Sequence, residues 1–90
     1  MLDKIITRAK EERETLLHEV ATLGYTIGIL KEERAALLLG NGLDGDSQEV
    51  MRINERLNNA RRVLAARNRR RECLDFLLTY VETYMETGVE

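Results

Sequence analysis

The sequence predicts an all-α fold: an antiparallel helical hairpin that pairs with a second copy into a four-helix bundle. Three observations carry this. The chain has 90 residues with no proline or tryptophan, a single phenylalanine and 33% charged residues, a composition suited to long solvated helices and not to a sheet. Two ladders of apolar residues step alternately by four and three positions, the repeat of a left-handed coiled coil. A glycine-rich segment separates the ladders, and it is too short to allow anything but an antiparallel return.

The first helix is expected over residues 2–39. Its ladder is Leu2, Ile6, Ala9, Leu16, Val20, Leu23, Ile27, Leu30 and Leu37, with Arg13 and Arg34 in step. Gly24 and Gly28, with Thr22 and Thr26 beside them, cost roughly 1 kcal/mol per glycine in helix propensity. The ladder runs through them without a change of phase, which predicts a continuous helix.

Residues 40–46 form the expected loop. Gly40 suits a left-handed helix cap, and Asp46 followed by Glu49, or Ser47 itself, supplies the N-cap of the next helix. The second helix is expected over 47–87, on the ladder Val50, Ile53, Leu57, Ala60, Leu64, Leu74, Leu78, Val81 and Met85, with Arg67 and Arg71 in step. Residues 1–90 thus read as one helical-hairpin domain.

Antiparallel pairing can be tested on the sequence itself. Each a-position of one helix must meet a d-position of the other with residue numbers of constant sum. Ile6 with Val81, Val20 with Arg67, Ile27 with Ala60, Arg34 with Ile53 and Leu37 with Val50 all satisfy the same constant. Flanking positions then bring Glu33 near Arg56, Glu12 and Glu19 near Arg70, and Lys10 near Asp75. Exposed pairs of this kind contribute a few tenths of a kcal/mol each, enough to select orientation. The four arginines in the ladders are expected to pack their stems and extend their guanidinium groups to the rim, towards Glu12, Glu14, Glu19 or Glu72.

Each helix carries a second apolar stripe, and such stripes require a partner helix. On helix one it includes Leu17, Ala21, Gly24 and Gly28; on helix two, Val63, Ala66, Cys73 and Leu77. A second copy of the chain is the economical partner, so these residues are the expected dimer interface.

No residue constellation declares a reaction, and the chain reads as non-enzymatic, with no cofactor and no metal site. His18 lies on an outward position without further ligands, and Cys73, the only cysteine, reads as an inert buried thiol in a reducing compartment. The chain starts without a signal-like apolar segment and has no run of about 18 apolar residues, so it is expected to be cytoplasmic without a membrane partner. Beyond Cys73 the apolar residues cover more of the helix than one neighbour can bury. Either the dimer wraps this end as a wider core, or Phe76, Tyr80 and Tyr84 are the contacts for a protein partner, aromatic side chains being common interface anchors. The function expected is that of an adaptor, inhibitor or regulator acting through protein binding. Two alternatives stand beside it: RNA or DNA binding through Arg61, Arg62, Arg69 and Arg70 in the arginine-rich middle of helix two, and a structural spacer in a larger assembly.

Overall fold

The computed structural model describes residues 2–40, 42, 45 and 47–87, with side chains described through Met85. Apart from Gly42, Gly45 and Ser47 these residues are helical, and the two long helices pack against each other. Helix α1 spans Leu2–Ala35 and passes into a π-helical segment, Ala36–Gly40; helix α2 spans Gln48–Thr87. The hairpin measures 66 × 19 × 15 Å.

The expected seam forms. Buried Ala9 and Leu16 of α1 meet Leu74 and Leu78 of α2, with Ile6 packed alongside. Towards the loop, Ile27 and Leu30 meet Ile53 and Leu57, with Leu37, Ala60 and Leu64 alongside. Both clusters follow the constant-sum register. They are separate, and the ladder residues between them (Val20, Leu23 and Arg67) are not fully buried.

Helix α1 is continuous through Gly24 and Gly28. A Cβ at either glycine would meet nothing within 4 Å, so neither serves a close approach inside the hairpin. The neighbouring threonines are accommodated by bonding back into the helix: the Thr22 hydroxyl donates to the His18 carbonyl at 3.0 Å, and the Thr26 hydroxyl to the Thr22 carbonyl at 3.1 Å.

The structure alters three details of the turn. Regular α-helix stops at Ala35, four residues before the expected end, because the chain widens into the π segment. A wider turn shifts the side-chain register by about one residue, so Leu37 and Leu38 are both half-buried while Leu39 points outward. Gly40 closes this segment without a positive φ. The left-handed conformation belongs instead to Gly42, at φ 67°. Helix α2 begins one residue later than expected because Ser47 is its cap: the Ser47 hydroxyl accepts from the Val50 amide at 3.3 Å, and the Ser47 carbonyl accepts from the Met51 amide at 2.9 Å. The alternative cap Asp46 lies outside the described residues, as do Met1, Asn41, Leu43, Asp44 and residues 88–90. Ser47→Ala should cost about 1 kcal/mol, read as a lower urea midpoint with an unchanged slope; no loss would mean the cap is dispensable.

Candidate protein-interaction surface

Charged residues along the seam define the two lateral faces of the hairpin. On one face the Arg70 guanidinium grips Glu12 with two hydrogen bonds, from Nε at 2.9 Å and from Nη2 at 3.1 Å. Hydrogen bonding from Arg70, together with its charge, holds the Glu12 carboxyl below its ordinary pKa despite some loss of solvent, and raises Arg70 in return. A carboxylate depressed in the folded state stabilises at neutral pH, and that contribution is lost as the pH falls through the depressed pKa. Both groups are exposed, so solvent screens the pair.

On the same face Arg67 Nε stands 3.0 Å from Glu19 Oε2. That oxygen is buried yet accepts no aligned hydrogen bond, so the contact compensates its charge without fully satisfying it. On the opposite face Lys10 lies 3.9 Å from Glu82, and Asp75 sits between Arg13 at 3.7 Å and Arg71 at 2.8 Å. Arg34 donates to the Asn54 side-chain oxygen at 2.9 Å.

Of the expected pairs, Glu12 with Arg70 forms. Lys10 reaches Glu82 instead of Asp75, because Asp75 is already held by two arginines. Glu19 takes Arg67, which is closer along the seam than Arg70. Glu33 and Arg56 make no ion pair among the described residues.

The residues expected at the dimer interface fall on two different sides of the hairpin. In an antiparallel pair the e-positions flank one side of the seam and the g-positions the other. Leu17, Ala21, Gly24 and Gly28 occupy e and b positions of α1, on the Lys10–Glu82 face. Val63, Ala66, Cys73 and Leu77 occupy g and c positions of α2, on the Glu12–Arg70 face. Surface hollows agree with this division: Val63 and Arg67 share one with His18, Glu19 and Thr22, and Ile29 and Tyr25 share another with Arg56 and Asn59. All eight residues are exposed in the single hairpin; Cys73, expected as a buried thiol, is exposed because its c position lies away from the seam. The signal was present in the heptad letters, since one stripe reads b/e and the other c/g.

The aromatic residues of α2 form a shallow spiral, each one turn beyond the last. Phe76 is 76% exposed at the back of the helix, Tyr80 63% exposed on its flank, and Tyr84 45% exposed as it turns towards the seam. At the open end of the hairpin Tyr80 and Tyr84 line a hollow with Leu2, Val81 and Met85. Phe76 belongs to neither core cluster.

Comparison with protein-family models, with curated proteins and with solved structures finds no match to this chain. The surface must therefore be read from its own chemistry.

Arg61, Arg62, Arg69 and Arg70 are all exposed, but they do not share a surface. Arg61 falls on the Lys10–Glu82 face, Arg62 and Arg69 on the back of α2, and Arg70 is held by Glu12. Among the described residues no group of His, Cys, Asp or Glu is placed to hold a metal ion, and no helix is long and apolar enough to cross a membrane.

Proposed function

We propose that this chain is a non-enzymatic protein-interaction module of the cytoplasm. Two hairpins associate as a four-helix bundle, and the open end is offered to a partner protein as a small adaptor, inhibitor or regulator would offer it. The observation that carries this reading is the cluster of large apolar side chains left in solvent at one end of the hairpin, among them Phe76, Tyr80 and Tyr84. A monomeric protein gains nothing from holding a phenylalanine three-quarters exposed at the back of a charged helix, whereas an interface does. Phe76 is the outermost anchor, and Tyr80 continues the contact round the helix.

Nucleic-acid binding has weaker support. Phosphate affinity needs several cations on one surface, and here Arg70 and Arg67 are engaged by Glu12 and Glu19 while the remaining arginines point in different directions. The spacer reading rests on the 66 Å length alone.

The test is a pull-down of tagged protein from native lysate, with and without nuclease, run in parallel for wild type and Phe76→Ala. A protein captured by wild type, retained after nuclease and lost with Phe76→Ala is the expected result, with thermal melting changed by no more than a few degrees. A large drop in melting temperature would place Phe76 in a core and overturn its role as an anchor. Capture that disappears with nuclease and with Arg61, Arg62, Arg69 and Arg70 changed to glutamine would move the function to nucleic acid.

A further inference from the structure

The exposed apolar side chains are not spread evenly round the hairpin. Ile5, Ile29, Val63, Leu77, Tyr80 and Tyr84 lie at c and g positions, on the Glu12–Arg70 face. At e and b positions on the opposite face, only Leu17 and Met51 are exposed among the large apolar side chains of the described residues. The threonines of the richer face add to it. Thr22 and Thr26 direct their hydroxyl groups into the backbone of α1, which leaves their methyl groups for packing.

The same face is divided by charge. Its α1 edge carries Glu12, Glu19 and Glu33, with Arg8 near the open end, and its α2 edge carries Arg52, Arg56, Arg67 and Arg70, with Glu49 next to the loop. A second copy can meet this face about either of two axes. A two-fold axis across the hairpin would set α1 on α1 and α2 on α2, bringing glutamates to glutamates and arginines to arginines. A two-fold axis along the hairpin sets α1 of each copy on α2 of the other at the same level. Glu12, Glu19 and Glu33 then meet the arginines of the other copy, and Arg8 and Glu49 are brought against no like charge; complementary charge of this kind fixes orientation in an interface.

We infer that a second copy docks on the Glu12–Arg70 face about a two-fold axis parallel to the helices, so that both loops lie at the same end and every neighbouring pair of helices is antiparallel. This rests on the dimer reading above and deepens it by naming the face and the orientation. The Glu19 carboxylate, whose Oε2 lacks an aligned hydrogen bond, then lies beside Arg67 of the second copy as well as its own. Leu77 and Tyr84 turn into the interface, while Phe76 and the outer edge of Tyr80 stay outside it, free for a third party. Leu17, Ala21, Gly24 and Gly28 remain uncovered.

The area available is sufficient. The hairpin exposes 7061 Å², against about 5,400 Å² for a compact protein of its mass. That excess is roughly twice the 800 Å² or so that each partner contributes to a stable interface.

Sedimentation and disulfide trapping test the proposal. Wild type should sediment as a dimer, Leu77→Glu as a monomer of unchanged helicity, and Leu17→Glu still as a dimer. At the matching level of the neighbouring copy, Cys73 faces Thr15. Thr15→Cys should therefore oxidise to a covalent dimer through Cys73, whereas wild type, with its two Cys73 side chains on separate corners of the bundle, should not. A dimer dissolved by Leu17→Glu but not by Leu77→Glu would overturn the face. A dimer in which wild type cross-links through Cys73 alone, or in which Thr15→Cys does not cross-link, would overturn the orientation. A wild-type chain that sediments at 10.4 kDa even at high micromolar concentration would overturn the dimer reading itself.

Discussion

Leu57→Ala should lower the unfolding free energy of the hairpin by about 2–5 kcal/mol, the range for truncating a leucine in a closed core. Leu57 is 0% exposed and stands at the centre of the cluster nearest the loop, against Ile27, Leu30 and Ile53. Two helices leave few neighbours able to move into the vacated space, so the loss falls towards the upper part of that range. The loss should also be local, because this cluster is separate from the one at the open end. Native-state hydrogen exchange should show faster exchange for amides near Ile27–Leu37 and Val50–Leu64, with protection retained near Ala9, Leu16, Leu74 and Leu78. Uniform loss of protection over both halves would show that the clusters fold as one unit.

Leu78→Asp should also be strongly destabilising at neutral pH, by at least about 3 kcal/mol, since it places a charge without a partner in an apolar site. Leu78 is 2% exposed and packs against Ala9, Leu74 and Ile6. The sign of its pH dependence follows from burial. A carboxyl group desolvated in the folded state has its pKa raised above the unfolded value, so the neutral form is favoured in the fold. Folding then takes up a proton, and stability should be lowest at neutral pH and recover as the pH falls through the raised pKa. Wild type should show no such recovery on acidification. Helical ellipticity followed across the acid range would measure this, and a variant no less stable at pH 7 than at pH 4 would show that the site admits water or a cation.

The seam was legible because a period is a global property. Ladder residues such as Leu16, Leu57 and Leu78 need only repeat in step to identify the face that pairs, and the constant sum across the loop fixes which residues meet. Choices made over a few ångströms were less legible. Lys10 and Glu19 each had more than one oppositely charged neighbour within reach, and long side chains choose among them by local crowding, as Arg13 and Arg71 show by occupying Asp75. The π segment at Ala36–Gly40 has no compositional signature, because a widened turn reflects how Leu37 and Leu38 fit the hairpin and not their propensities. For the candidate surface, the aromatic residues were visible at once from their outward positions. The separation of the two stripes was also present in the letters of the heptad, but it has meaning only when both helices are laid side by side.

The gap between the two core clusters has a mechanical consequence. Resistance to bending in a two-helix rod comes from side chains locked across the seam, and between Leu16 and Ile27 that locking is thinnest. Gly24, which has neither a side chain nor a neighbour to brace it, lies in the same stretch, and Gly28 follows one turn on. The hairpin should therefore bend most easily in its middle, with the loop on one side of that point and the aromatic end on the other. A load applied at Phe76 should be taken up near Gly24 before it reaches the turn.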